Sequence, residues 1–160
     1  MNKKLITTIG ISVIAIVVVG VIIALICGIG NSKPDIYKQG DIVKIPIKVT
    51  KNPGMVIAKT VVNYDDAVLE YVECEGGIFT DNTVSTKDGK ATCVLMANFT
   101  ADLKDNTETG TIATLVFKVK KGAAKGESLI SIDEENSEYA NLREKFVTPK
   151  VSITEKIIIE

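Results

Sequence analysis

The chain has 160 residues, with 19 lysines and arginines against 20 aspartates and glutamates, and a formal net charge of −1. This balance excludes a global field that would recruit nucleic acid, so we expect no nucleic-acid partner. Histidine and tryptophan are both absent. The commonest general base near neutral pH is therefore missing, and the large aromatic rings on which sugars stack are scarce.

The first 30 residues are dominated by an apolar run. Residues 5–30 contain no charged side chain, and Lys3 and Lys4 precede them. About 20 apolar residues suffice to cross a bilayer as a helix, whereas the apolar core of a secretory signal is shorter, about 7–15 residues. Residues 1–30 therefore predict a single membrane span with the rest of the chain outside the cell, because basic residues favour the inner side. A signal segment that is cleaved to release a secreted protein is the alternative.

Residues 31–40 predict a linker, and residues 41–160 predict one domain, which is long enough for a single core. From residue 41 the hydrophobic pattern has a period of two, typical of a half-buried strand. Its apolar side consists of Val43, Ile45, Ile47 and Val49. Pro46 on the other side predicts that this strand lies at a sheet edge or carries a bulge.

Further strands are predicted at about 55–64, 68–74, 91–97, 111–120, 128–132 and 147–159. Turn residues separate them at 52–54 (NPG), 65–66 (DD) and 87–90 (KDGK), and the last of these is typical of a β-hairpin. Residues 136–145 have weak helical character but are too polar for a core helix. Short strands at this spacing predict an all-β sandwich.

We expect no enzymatic activity, no catalytic residues, no metal site and no cofactor. The candidate carboxylates lie at strand ends or in charged loops, where such side chains usually satisfy local backbone donors. They are Asp65, Asp66, Glu73, Glu75, Glu134 and Glu135. The chain has neither a histidine nor a C-x-x-C motif, and both absences disfavour a zinc site. Outside the apolar run, Cys74 and Cys93 either pair in an oxidising exterior or remain as two small buried thiols.

Two predicted strands give a hypothesis for a binding surface. These are the strands at about 55–64 and 91–97. If Val62 and Met96 point into the sandwich, the residues at alternate positions point outward, because successive side chains of a strand face opposite sides. The outward side would then carry apolar residues together with Lys59 and Asn98. These outward aliphatic residues are Ile57, Val61, Leu95 and Ala97. Exposed apolar patches with a polar rim mark association surfaces. The alternative is that another strand or the loop that begins at residue 100 covers this face.

Three motifs, in order along residues 40–159, resemble those of cohesin domains. The opening strand pattern GD-x-V-x-(V/I)-P-(V/I) is matched by residues 40–47 (GDIVKIPI). The corner pattern x-x-Y-D-P-x-V-L-E is matched by residues 62–70 (VNYDDAVLE), with Asp66 in place of proline. The strand pattern G-x-(I/L)-A-T-(I/L)-x-F-x-V-K is matched by residues 110–120 (GTIATLVFKVK).

The resemblance implies a flattened jelly-roll sandwich of about nine strands that binds dockerin modules of polysaccharide-degrading enzymes, as in cellulosomes. It implies calcium in the dockerin and none in this chain. It also implies that the partner-binding residues are Ile57, Lys59, Val61, Leu95, Ala97 and Asn98. Ile57 and Lys59 stand where many cohesins of the first type have Asn and Asp, so Lys59 reverses a charge at a recognition position.

The sequence thus predicts a membrane-tethered adaptor that displays one cohesin-like module outside the cell. The second hypothesis is a carbohydrate-binding sandwich at the cell surface with weak contacts to polysaccharide, which the shortage of exposed aromatic residues disfavours. The third is an extracellular structural module that has lost dockerin recognition.

Overall fold

The computed structural model describes residues 35–97, 105–154 and 156–160 of the chain. Eleven strands occur in this part, and they run in chain order as β1 (Ile36–Tyr37), β2 (Ile42–Lys51), β3 (Ile57–Tyr64), β4 (Leu69–Gly76), β5 (Asp81–Lys87), β6 (Lys90–Met96), β7 (Gly110–Val119), β8 (Gly126–Ile132), β9 (Glu138–Ala140), β10 (Lys150–Ser152) and β11 (Lys156–Ile159). The predicted all-β class is confirmed. The count exceeds the expected nine, and β1, β9 and β10 are only two or three residues long.

The strands form two sheets that enclose the core. The larger sheet has the order β1-β11-β8-β3-β6-β5, with β9 paired to β3 as well, and the smaller sheet has the order β10-β2-β7-β4. All ladders are antiparallel except β1 with β11, which is parallel. The arrangement is a β-sandwich, in which each strand buries one face and exposes the other.

Strand β2 shows how the sequence produces this arrangement. Its alternate apolar residues are at most 1% exposed, and they are Val43, Ile45, Ile47 and Val49. Pro46 is accommodated because β10 pairs with β2 only over residues 48–51, which leaves one edge of β2 free at the proline. A register irregularity in the β2–β7 ladder follows, between Ile47 and Lys48.

The predicted turns form where local chemistry favours them. Asp88 and Gly89 both have positive φ values, 49° and 70°, as a two-residue hairpin turn requires. This hairpin joins β5 to β6 with Lys87 opposite Lys90. The side-chain oxygen of Asn52 accepts hydrogen bonds from the backbone N–H groups of Gly54 and Met55, at 3.1 and 2.8 Å.

Three segments differ from their predictions. Strand β5 was absent from the predicted strands, and only the turn at 87–90 implied a strand before it. Ile36 and Tyr37, inside the predicted linker, form β1 and pair with Ile158 and Ile159, because these apolar residues extend the larger sheet. The segment with weak helical character contains β9, whose pairing with β3 outweighs its local propensity. The predicted membrane segment lies outside the described residues. Within the described residues, no helix has the length and hydropathy needed to cross a bilayer.

Candidate functional site

The outer face of the larger sheet carries a group of exposed apolar side chains. Ile57 lies opposite Met96 and Lys59 lies opposite Val94 in the β3–β6 ladder, so all four side chains share one surface. Ile57, Met96 and Val94 are 39%, 39% and 38% exposed. We call these three residues the apolar patch. On β5, the exposed Asp81 lies opposite Met96 and borders the patch.

The outer face of the smaller sheet is different in character. Lys44 Nζ lies 2.5 Å from Glu75 Oε1 across that face. Glu70 and Lys118 are cross-strand partners in the β4–β7 ladder. Val116, on the same side, is only 3% exposed.

Ile42 and Val72 of the smaller sheet are each 49% exposed, but charged side chains lie among them. In the larger sheet, Ile57, Met96 and Val94 lie together on neighbouring strands, so we regard that face as the candidate docking surface.

Lys59 is the basic residue nearest to the apolar patch in the ladder. Its register partner on β9 is Glu138, and Lys59 Nζ lies 3.7 Å from Glu138 Oε2. The two side chains are 41% and 57% exposed. An exposed pair at this separation contributes about 0–1 kcal/mol. Lys59 can therefore exchange its partner for a carboxylate on another molecule at little cost.

Val61 was predicted to contribute to the exposed surface, and this prediction is wrong, because Val61 is only 4% exposed. The loop after β8 covers it. Asp133 donates its backbone N–H to the Val61 carbonyl at 2.8 Å, and the Val61 N–H donates to Ser137 Oγ at 3.0 Å. Lys90 Nζ reaches Asp133 Oδ2 at 2.8 Å, so an ion pair spans β3 beside Val61.

Leu95 and Ala97 were also predicted to point outward, and that prediction is wrong as well. They are 0% and 7% exposed and belong to the core. The error lies in placing Val62 and Met96 on the same inner side. Met96 pairs with Ile57, which is separated from Val62 by an odd number of positions along β3, so Val62 and Met96 occupy opposite faces.

The remaining predicted contact residues have separate outcomes. The exposed positions of Ile57 and Lys59 agree with the prediction, and their role in binding stays a prediction. Asn98 lies outside the described residues.

The sequence analysis missed Val94 and Met96. Alternation gave a partial signal, since the polar Lys90 and Thr92 share their parity on β6, but the end of the strand is apolar on both sides, and the pairing with β3 is what assigns Val94 and Met96 to the outer face.

Asp133 is the described carboxylate on this face whose titration is clearly perturbed. Hydrogen bonds from Lys90 and then from Asn136, at 2.8 and 2.9 Å, lower its pKa below the ordinary value of 3.8. A carboxylate that accepts bonds in its charged form is favoured in that form. The ion pair with Lys90 is therefore present at neutral pH, and it adds to the hydrogen bonds of Asp133 and Ser137 that hold the loop over β3.

A groove of about 360 Å³ lies beside the face, next to β9. Its walls include Glu134, Ser137, Glu138 and Tyr139. Burial raises the pKa of the Tyr139 hydroxyl, which makes this group a poorer acid. The described residues contain no cluster of three or more histidine, cysteine, aspartate or glutamate side chains that could hold a metal ion.

Cys74 and Cys93 are free thiols in this structure. Cys93 is fully buried, and burial together with the nearby Cys74 raises its pKa to about 12. Cys74 is half-buried, and burial and then Glu75 raise its pKa as well. Thiols with raised pKa values are weak nucleophiles near neutral pH.

Comparison with known proteins gives the family. The family model described as Cohesin domain matches residues 31–159. Cellulosomal-scaffolding protein A of Acetivibrio thermocellus is 32% identical over 138 residues, which cover 77% of this chain and 7% of that protein. The chain therefore corresponds to a small part of the scaffolding protein that it matches.

Two solved structures show the same fold. A type I cohesin–dockerin complex from Clostridium thermocellum is similar with a TM-score of 0.64 and 21% identity, covering 79% of this chain and 94% of that chain. The sixth cohesin of scaffoldin B from Acetivibrio cellulolyticus, solved in complex with a dockerin, has a TM-score of 0.64 and 24% identity, with the same coverage of 79% and 94%. The resemblance drawn from the three sequence motifs is confirmed: this chain belongs to the cohesin domain family.

Proposed function

We propose that this chain is a non-catalytic interaction module that binds dockerin-bearing proteins through the outer face of its larger sheet. The observation that carries the proposal is the apolar patch, formed by Ile57, Val94 and Met96 and bordered by Lys59 and Asp81. Apolar patches within a polar rim are typical of protein-binding surfaces. The two similar solved structures are complexes with dockerins, which supports this class of partner.

The structure of the face explains how it could bind without rearranging. Strand β3 is hydrogen-bonded on one side to β6 and on the other side to β8 and β9. The backbone of such a strand is held in place before a partner arrives, which reduces the entropy lost on binding. A standard interface buries about 800 Å² on each partner. The patch would form its water-excluded centre, surrounded by polar contacts.

Lys59 would contribute to the choice of partner. It lies between Val94 and Glu138 on the face, in weak contact with the latter. A partner that places a carboxylate near Lys59 gains an ion pair, whereas a basic group there is repelled. We therefore expect this module to prefer dockerins with an acidic or neutral side chain at that position.

The proposed setting is the outer surface of a cell. Residues 5–30 carry no charge and would serve as a membrane tether, with Lys3 and Lys4 on the inner side. The module would then hold polysaccharide-degrading enzymes, through their dockerins, in an assembly of the cellulosome type. Cleavage within the apolar run would instead release the module as a secreted protein.

The proposal is tested by capture of dockerin modules by the full chain in detergent micelles. The probes are the calcium-loaded dockerins encoded in the genome that encodes this chain, each assayed with and without chelator. We expect capture that chelator abolishes, because the calcium belongs to the dockerin. Failure of every probe would overturn the proposal, and retention on insoluble polysaccharide without dockerin would support the carbohydrate-binding alternative.

Substitutions locate the surface. Ile57→Asp and Met96→Asp place a charge in the patch and should abolish capture. Ile42→Asp is the matched control, since Ile42 is 49% exposed but lies on the smaller sheet. Equal loss of capture in all three variants would place the interface elsewhere or indicate unfolding, and thermal denaturation separates these two outcomes.

A further inference from the structure

The strand orders of the two sheets, in the described part of the chain, end at β1 and β5 and at β10 and β4. An edge strand presents unpaired backbone N–H and C=O groups, and proteins usually protect it by making it short, charged or bulged. Strands β1 and β10 are only two and three residues long. Strand β4 carries Glu70, Glu73 and Glu75 and has a register irregularity between Tyr71 and Glu73. Three of these four edges are therefore protected.

Strand β5 lacks each of these protections. It has seven residues, and all seven pair with β6 without a register irregularity. Its charged side chains are confined to its two ends, at Asp81 and Lys87. The residues between them, 82–86 (NTVST), are uncharged, contain no proline and include three β-branched side chains, which favour strand pairing. The edge formed by β5 is thus long, regular and uncharged over its middle.

The β5–β6 hairpin determines which backbone groups of β5 face the edge. Lys87 and Lys90 flank the two-residue turn, and in such a hairpin this pair exchanges both hydrogen bonds. Alternation then directs the N–H and C=O groups of Asn82, Val84 and Thr86 away from β6. In the described part of the chain, β5 pairs with no strand other than β6. Each of these three residues therefore offers one donor and one acceptor to a further strand.

The charge pattern of β5 is complementary to its own reverse. When two copies of β5 run antiparallel with Val84 opposite Val84 of the second copy, all seven residues are paired. Asp81 then lies opposite Lys87 at both ends, and Thr83 lies opposite Ser85. Opposite charges that face each other across two strands stabilise the pair. A shift of two residues in either direction loses both ion pairs, so the charges favour this one register.

The same register satisfies the backbone groups at the edge. Asn82 and Val84 of one copy meet Thr86 and Val84 of the other, and the arrangement repeats by symmetry. These pairs are of the hydrogen-bonded kind, so about six N–H···O=C bonds join the two strands. We infer that β5 is a self-association surface, through which two copies of this chain form a symmetric antiparallel dimer.

The dimer joins the two larger sheets across a two-fold axis perpendicular to them. Residues that face each other across the new ladder project to the same side, so the apolar patches of both copies lie on one side of the joined sheet. A contact between two seven-residue strands is smaller than the about 1,200–2,000 Å² of a stable interface. We therefore expect a reversible dimer with a dissociation constant of about 10 μM to 1 mM. Its formation needs no dockerin and does not depend on the proposed function.

Cross-linking tests the register. The full chain in micelles carries either Thr83→Cys or Ser85→Cys, in a Cys27→Ser background that removes the thiol of the apolar run. In the dimer these two positions face each other with Cα atoms about 4.5–5.5 Å apart, a distance at which a disulfide can form. Within either variant alone the introduced cysteines lie diagonally, about 7–8 Å apart. Oxidised glutathione should therefore link a mixture of the two variants about fivefold more than either variant alone.

A mixture of Thr83→Cys and Ser131→Cys is the matched control. Ser131 is exposed and lies on β8 of the same sheet, which is separated from β5 by two strands. This mixture measures links that form by random collision or by association of the apolar runs. If the mixture of Thr83→Cys and Ser85→Cys gives no more linked dimer than this control, the inference is overturned.

A charge exchange tests the ion pairs. Asp81→Lys and Lys87→Asp each place like charges opposite one another at both ends of the strand pair. Each should weaken self-association about tenfold, measured by sedimentation equilibrium in density-matched micelles. A mixture of the two variants restores opposite charges at both ends, so it should associate about as well as the unmodified chain. Both residues are exposed, so the midpoint of thermal unfolding should not change.

Three results of the charge exchange would contradict the dimer. They are unchanged association of both single variants, a mixture that does not recover, and an unmodified chain that stays monomeric at about 1 mM. The proposed function would stand in each case, because dockerin capture is measured separately. If no dockerin were captured while the charge exchange gave the expected recovery, the proposed function would fail and the dimer would stand.

Discussion

Ile57 and Met96 face each other across the β3–β6 ladder with equal exposure of 39%, while their neighbours Ala58 and Leu95, also opposite each other, are completely buried. A single step along either strand thus exchanges the exposed face of the sheet for the core. The separation follows from the period of two in a strand, which sends successive side chains to opposite faces of the sheet. Substitutions at adjacent positions should therefore affect different properties.

Leu95→Ala should lower the free energy of unfolding by about 2–5 kcal/mol, because it leaves a cavity in a packed core. Met96→Ala should lower it by less than about 1 kcal/mol and weaken dockerin capture instead. Urea unfolding and capture, measured on both variants, check this separation. If Leu95→Ala weakened capture while leaving stability unchanged, the register that places its side chain in the core would be contradicted.

The sequence predicted the fold to a large extent because local patterns carry most of that information. Alternation predicted β2, and the pair Asp88-Gly89 predicted the hairpin between β5 and β6. The composition of the candidate binding face depends instead on how distant strands pair. The last residues of β6 are apolar on both sides, and the polar Lys90 and Thr92 at its start were the one local signal that Val94 and Met96 point outward.

The position of Phe146, which is 79% exposed, depends even more on distant contacts. Nothing in its neighbourhood of the sequence distinguishes an exposed ring from a core residue. Its orientation follows from the bridge to Ala140, and the position of Ala140 follows from its pairing with Ile57. Val61 illustrates the opposite case, since its strand parity points outward but the loop of residues 133–137 covers it.

Lys59→Met should leave stability unchanged to within about 0.5 kcal/mol, because the exposed pair with Glu138 contributes little. We expect dockerin capture to weaken and to become less sensitive to salt, because a charge at the interface is lost. Titration of binding at two salt concentrations measures both effects. Lys44→Met on the smaller sheet is the control, and an equal change in salt sensitivity there would contradict a local role for Lys59.

The two thiols should differ in reactivity with a disulfide reagent at pH 8. With a pKa of about 12, the Cys93 thiol stays almost entirely protonated at that pH, and the side chain is fully buried. Cys74 is half-buried and should react first. The third cysteine of the chain, Cys27 in the apolar run, is replaced by serine for this assay, so that two thiols are counted. We expect one slow reaction in the folded protein and a second only after unfolding; rapid reaction of both would contradict the burial of Cys93.

Asp133→Asn should destabilise the domain at pH 7, because it removes the charged acceptor that holds the loop of residues 133–137 to Lys90. The pKa of Asp133 is lowered by folding, so its stabilising contribution is complete above the ordinary value of 3.8. This contribution disappears as the pH falls through the lower pKa of the folded state. Urea unfolding at a series of pH values should therefore show a difference between the two proteins that shrinks below about pH 4.

Glu127→Gln, which breaks the more exposed pair with Lys156, is the control and should have a smaller effect on the free energy of unfolding at pH 7. If the difference in the free energy of unfolding between Asp133→Asn and the unmodified protein stayed the same in acid, the prediction would be wrong. The charge of Asp133 would then contribute nothing, and uncharged hydrogen bonds of residue 133 would hold the loop.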